Sequence, residues 1–256
     1  MLLKPFLRLL RQGRLKPLIT VGTGLKPFYQ LTWLAAAAEA GILHQLAAGP
    51  VSLESFSDFT AAGGQSREAL EAWLQMGVRL RLLRLGARGY DLRGLAQALA
   101  QPENDSVLAL TEEVAGLHHK LIAATLPKLR SGDLWTLADQ DGELIARSSR
   151  IFEPFQADVI RRTFPEQGPL RLLEIGCGSG IYLRYAAAGN SALTALGLEL
   201  QPTVAEIART NIRTWGLQDR VSIEDGDIRL FGGHEQYGCV VLGYLDRAGR
   251  GEFLRS

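Results

Sequence analysis

The sequence predicts an α/β protein in which a mainly helical first half precedes a doubly wound parallel sheet. Three observations predict it. From Pro169 onward, apolar runs alternate with helical segments: "LRLLEIGC", "GIYLRYAAAG", "ALTALGLEL", "QPTVAEIARTNIRTWG", "RVSIEDGDI" and "YGCVVLGYL". Strands separated by helices at such short spacing pair in parallel. Glycines and acids gather at the ends of those runs, where sheets of this kind bind ligands. Ahead of them, the pattern is helical apart from one hairpin. The expected division is a helical domain over residues 1–105, a helical linker and substrate wall over 106–165, and the sheet domain over 166–256.

Bulk properties narrow the function classes. The 256 residues suffice for a sizeable core. A net charge of +1 gives no global field for nucleic acid or an anionic membrane. Two cysteines, Cys177 and Cys239, make no disulfide framework and suit a reducing compartment, so a cytoplasmic location is expected. The longest apolar candidate, "LTWLAAAAEAGIL", contains Glu39 and is too short to span a bilayer. Charges through "LRLLRQGRLK" argue against a signal peptide.

The N-terminus carries Lys4, Arg8, Arg11, Arg14, Lys16 and Lys26 and no acid, with Leu3, Leu7, Leu10 and Leu15 as a rough helical stripe. Pro5 and Pro17 confine any helix there to a short piece. The expected role is docking of the stripe on a dimer partner or on its own domain, rather than on a membrane. From Pro27 to Gly49 the pattern is helical and ends at a glycine followed by Pro50. Ser52 and Ser66 are candidate helix caps. Residues 66–85 then read as an amphipathic helix, and "RLLRLGARGYDLRG" as a hairpin turning between Gly86 and Gly89.

Helix, helix, helix, hairpin is the order of a winged helix, which raises the question of DNA. A recognition helix presents polar and basic groups to a groove. Here Ala69, Leu70, Trp73, Leu74, Met76, Gly77, Val78 and Leu80 outnumber Arg79, Arg81 and Arg84. Such a helix is core, and the expected role is structural or dimerising. Residues 106–163 look helical again. His118 and His119 point about 100° apart on a helix and cannot share a metal. His44 and His234 lack ligand spacing, and no metal site is expected.

The informative stretch is "LLEIGCGSG", Leu172 to Gly180. Gly176, Gly178 and Gly180 lie on the turn from strand to helix, where glycine permits positive φ and a surface free of side chains. A phosphate-binding loop requires a lysine after the glycines, and none is present. A dinucleotide site wants Gly-x-Gly-x-x-Gly, whereas this run is Gly-x-Gly-x-Gly with Glu174 just before it. A carboxylate there repels pyrophosphate and attracts a cation. Glu199 ends the second strand, where an acid accepts ribose hydroxyls. Asp227, in "EDGDI", could accept the amine of an adenine, beside the Ile228 amide. These acids call for an adenosine bearing a positive charge and an amino-acid tail, without phosphates. Asp225 reads as a solvated turn acid, and the Cys177 side chain as a small filler.

Those three motifs resemble the class I S-adenosylmethionine-dependent methyltransferases over about residues 148–230. The resemblance implies a Rossmann-like doubly wound sheet and S-adenosyl-L-methionine as cofactor. It places Glu174 near the methionine amine, with Gly176, Cys177, Gly178 and Gly180 making room for methionine and ribose. It assigns Glu199 to the ribose, Leu200 to packing on the adenine, and Asp227 with Ile228 to its edge. Upstream, "SSRIFEPF" looks like a helix that closes over the cofactor, adding Arg150, Phe152 and Tyr182. The winged-helix-like first half is similar to that of small-molecule O-methyltransferases, which implies a homodimer and a small-molecule acceptor, with neither membrane nor nucleic acid as partner.

Two departures qualify the resemblance. Those enzymes usually carry a histidine base soon after the fourth strand. Here "VVLGYLDRAGRGEF" offers only Tyr244 and Asp246, and no catalytic residue is assigned. The chain also reads as truncated after the fourth strand. Two readings stay open: a methyltransferase acting by in-line transfer to a positioned small-molecule acceptor, and a non-catalytic cofactor-binding or regulatory protein. An NAD-dependent oxidoreductase is disfavoured by Glu174 and the glycine spacing.

Overall fold

The computed structural model describes residues 3–56, 64–136, 139–232 and 237–242. The chain forms two compact units, Met1–Trp135 and Thr136–Ser256. The stretch 106–165, expected as a helical linker, is divided between them at Trp135.

The first unit opens with α1 (Leu3–Arg11) and α2 (Leu15–Glu39). This departs from the expectation of a short basic helix followed by a helix starting at Pro27. Pro17 falls in the first turn of α2, where its missing N–H has no helical partner to lose. Pro27 lies inside α2 and removes one rung of a helix anchored by buried Trp33, Leu34 and Ala37. Gly41, at φ 71°, ends that run and starts α3 (Ile42–Ala47). Ser52 introduces only a single turn, Leu53–Ser55. Helix α4 (Gly64–Arg79) is already under way at Gly64, so Ser66 is not its cap. It stops short of residue 85 because Arg81 turns left-handed, at φ 62°.

The predicted hairpin is present: β1 (Leu83–Gly86) pairs antiparallel with β2 (Gly89–Leu92). Val51 bridges Tyr90 of β2. Gly89 has φ 110°, and a Cβ there would lie 2.3 Å from the Val51 carbonyl oxygen. Helices α5 (Leu95–Leu99), α6 (Asp105–Glu113) and α7 (His119–Ser131) follow, with a π turn at Val114–His118 between the last two. The apolar face of α4 is core, as its composition predicts. Leu70, Leu74 and Leu80 are buried, and the Trp73 ring stacks on Trp33 at 4.5 Å between centroids. The Trp33 indole N–H donates to the Trp73 carbonyl at 3.1 Å.

The second unit contains α8 (Gly142–Ser149), a short turn Arg150–Phe152, and α9 (Glu153–Thr163). Four parallel strands follow: β3 (Leu170–Ile175), β4 (Leu193–Glu199), β5 (Val221–Asp225) and β6 (Cys239–Leu242). Helix α10 (Ile181–Gly189) joins β3 to β4, and α11 (Pro202–Thr214) joins β4 to β5. The strand order is β5-β4-β3-β6. The chain therefore lays strands outward from β3, then returns to its other side with β6. The direction reverses at β3, and ligands of such sheets bind beyond the carboxyl ends at that reversal.

Alternation along β3 sorts the two faces. Leu172 packs with Leu183, Ala186, Ala205 and Ile212 of the helices, while Leu173 and Ile175 pack with Leu196 on the other face. Glu174 shares the parity of Leu172 and so points under α10.

Asn190 fixes the return from α10. It is 1% exposed. Its amide donates to the Pro165 and Gly168 carbonyls at 2.9 and 3.0 Å, and its oxygen accepts from the Ala192 amide at 2.9 Å. Arg220 adds guanidinium donors to the carbonyls of Ala187, Asn190 and Ser191 at the same helix end. Asn190→Ala removes three hydrogen bonds that a buried side chain makes to the backbone of exposed residues, and should cost about 1–3 kcal/mol. Urea unfolding with an unchanged slope and a lowered midpoint would show it. A midpoint equal to wild type would mean that water replaces the side chain.

Candidate functional site

The glycine turn is stitched to the end of β4. The Gly176 and Cys177 amides both donate to the Leu198 carbonyl, at 2.8 and 3.2 Å. Gly176, Gly178 and Gly180 all have positive φ, at 70°, 53° and 79°. This is the conformational demand that the sequence spacing implies. A Cβ at Gly178 would meet nothing within 4 Å, so the loop faces open space there.

Glu199 closes the other side of the turn. One carboxylate oxygen accepts from the Gly178 amide at 2.9 Å and the other from the Gln201 amide at 3.1 Å. It thus holds the loop and the first turn of α11 together. A carboxylate has about four acceptor sites, so lone pairs remain for a ligand. The Gly226 amide donates to the Glu199 carbonyl at 2.9 Å and draws the end of β5 to the same place.

Glu174 is 1% exposed, and its Oε2 has no hydrogen-bond partner. Burial pushes its pKa well up, the nearby Glu199 charge adds to this, and the Leu183 amide opposes it. Gly180, the residue before α10, has no side chain to cap that helix, and Glu174 supplies an acceptor from beneath. Gly197 faces Glu174 across the sheet. A Cβ at Gly197 would lie 2.8 Å from both Cys177 Sγ and Leu183 Cδ1. Cys177 is buried in this cluster, and burial raises its thiol pKa. Its side chain fills space, and only its backbone lines the turn.

At the end of β5, Asp227 caps the turn Ile228–Leu230 by accepting from the Arg229 amide at 2.9 Å. The Arg229 guanidinium also grips it, with Nε 2.9 Å from each carboxylate oxygen. That bond holds the Asp227 carboxyl below its usual range. Asp225 is not simply solvated: Arg209 pairs with it and lowers its pKa. Leu200 stands 47% exposed beside Glu199. Ile228 packs against the Leu173 and Ile175 cluster.

The upstream candidates are tied to α10 rather than to the glycine turn. Arg150 lies 3.6 Å from the Glu153 carboxylate, which also accepts from the Tyr185 hydroxyl at 2.6 Å. Phe152 is 61% exposed. Tyr182 packs against the helical side of the sheet core. Tyr244, Asp246 and His234 lie outside the described residues. Among the described residues, no group of three or more His, Cys, Asp or Glu could hold a metal, and no helix is long and apolar enough to cross a membrane.

Sequence reasoning missed Gly197, the Gln201 amide and Arg229. Gly197 inside a strand is itself a signal of close approach. Asp-x-Arg after a strand end was the available signal for the Arg229 pair.

No family model matches the chain. A ribosomal protein L11 methyltransferase of Deinococcus radiodurans is 38% identical over 68 residues, covering 27% of this chain and 24% of that protein. The mitomycin 7-O-methyltransferase MmcR is similar in structure, with TM-score 0.71 and 19% identity, over 92% of this chain and 73% of that one. NcsB1, an O-methyltransferase from neocarzinostatin biosynthesis solved with S-adenosylmethionine and 2-hydroxy-5-methyl naphthoic acid, gives TM-score 0.57 and 16% identity, over 77% and 65% of the two chains. The strand order, the glycine turn and these likenesses together give the chain the fold of the small-molecule O-methyltransferases.

Proposed function

We propose that this chain is an S-adenosyl-L-methionine-dependent methyltransferase acting on a small-molecule acceptor. The observation that carries the reading is the pairing of Glu199 with the Gly178 amide at the carboxyl end of β4, with Glu174 buried beneath. A dinucleotide would bring its pyrophosphate to this turn, where the Glu199 carboxylate on the Gly178 amide opposes it. A cationic adenosine compound fits the same donor set. Glu199 retains acceptor sites for ribose hydroxyls, the open face at Gly178 leaves room for a ligand, and Leu200 offers an exposed apolar surface to a base. The cofactor, when bound, supplies an electrophilic methyl on a sulfonium. The protein's part is to orient it and to exclude water. The enzyme names carried by the similar structures favour this reading over a non-catalytic binding protein.

The helical first unit serves, in this reading, as a winged-helix-like homodimerisation module in a cytoplasmic enzyme. Phe6, Leu7 and Leu10 of α1 and Leu18, Ile19 and Val21 of α2 are exposed in the single chain. An apolar run of this extent marks an interaction surface.

Calorimetric titration with S-adenosylhomocysteine tests the reading. Saturable binding that NAD does not displace is expected. A folded chain that binds no S-adenosylhomocysteine, or that releases it to NAD, would sink it.

A further inference from the structure

Asp227 is the acid that the cofactor reading assigns to the exocyclic amine of adenine. Its acceptor sites are already in use. Oδ1 takes the Arg229 amide and Arg229 Nε, and Oδ2 takes Nε and Nη2 of the same guanidinium. A carboxylate offers about four acceptor sites, so little capacity remains for an incoming amine. The Asp227 side chain is 22% exposed and that of Arg229 is 60% exposed. The arginine is thus the more solvent-exposed member of the pair, free to swing off the acid into water. Ile228, between them, is anchored in the Leu173 and Ile175 cluster, which fixes the turn that presents both groups.

We propose that Arg229 is a built-in competitor for the adenine amine at Asp227, lowering both the affinity for adenosine-bearing ligands and the selectivity for the amine. The inference rests on the cofactor reading and adds to it a residue that sets base selectivity. Arg229 must leave Asp227 before the amine can bond to it, and the exposed ion pair sets the size of that cost. Exposed pairs are weak, so the arginine tunes binding rather than blocking it. The backbone bond from the Arg229 amide stays in place throughout. The turn therefore keeps its shape while the guanidinium moves.

The test is calorimetric titration of the full chain and its Arg229→Gln and Arg229→Ala variants with S-adenosylhomocysteine and with S-inosylhomocysteine, which lacks the amine. Both variants should bind S-adenosylhomocysteine about two- to fivefold tighter. Affinity for S-inosylhomocysteine should change less, so the ratio between the ligands should rise. In the Asp227→Ala background, which removes the acceptor altogether, the Arg229 substitutions should have no effect. Equal or weaker S-adenosylhomocysteine binding by the variants, or tightening that persists without Asp227, would overturn the proposal while leaving the cofactor reading intact. Absence of binding by the wild type and by every variant would overturn both.

Discussion

Glu199→Ala is expected to weaken S-adenosylhomocysteine binding by about two orders of magnitude, the largest effect of any single change at this site. The magnitude follows from the bonds involved. Hydrogen bonds to a charged acceptor contribute about 1.5–3 kcal/mol each, and about 1.4 kcal/mol is tenfold in affinity. The carboxylate serves twice, since it also accepts from the Gly178 and Gln201 amides. On the proposed reading its removal deprives the ribose of acceptors, and it also frees the glycine loop from α11. Titration calorimetry separates the two effects when Glu199→Gln is measured beside it. The amide variant keeps one acceptor oxygen and should lose less. Near-equal affinity of the alanine variant and wild type would place the ligand elsewhere. A lowered melting temperature with unchanged affinity would leave Glu199 a structural role alone.

The parts of the molecule that were legible in the sequence are those governed by short-range rules. The alternation of apolar runs with helices located all four strands of the described sheet, and the glycine spacing gave the three left-handed positions. The hairpin turn was legible because Gly86 and Gly89 bracket it. Helix limits were less so. Passage of α2 through Pro27 depends on the tertiary anchoring of Trp33 and Leu34, which outweighs one lost rung. The left-handed Arg81 that ends α4 carries no sequence signal.

At the site, the acids could be placed at strand ends from the pattern, but their partners could not. Asp227 was expected as an open acceptor, and the structure shows it held by Arg229. Asp225 was expected in solvent, and it pairs with Arg209, which comes from the middle of α11. Both depend on where a long side chain lands after the fold has formed. The burial of Glu174 belongs to the same class. Period-two alternation assigns its face, but only the docking of α10 shows that the face is closed.

That closure carries the second large effect, a pH dependence of stability set by Glu174. The group is an acid whose pKa is raised in the folded state, first by burial and then by the Glu199 charge. Above the ordinary glutamate range, the unfolded chain has lost this proton while the native state keeps it. The native state then binds more protons than the unfolded one, so stability falls as pH rises. The fall begins at the ordinary value and continues until the raised folded value is passed, at up to about 1.4 kcal/mol per pH unit. Glu174→Gln removes the titration and keeps an acceptor for the Leu183 amide. Its stability, followed by urea unfolding from pH 5 to pH 8, should be flatter with pH than that of wild type, and its advantage should grow toward the alkaline end. Among the described residues, the groups facing Glu174 supply no compensating cation: Glu199 and the Cys177 thiol add negative charge or none, and Arg209 is committed to Asp225 and Glu206. Parallel pH profiles for wild type and Glu174→Gln would show that the buried carboxyl has the same proton affinity folded and unfolded. The unpartnered Oε2 would then have to reach water that the packing of α10 excludes.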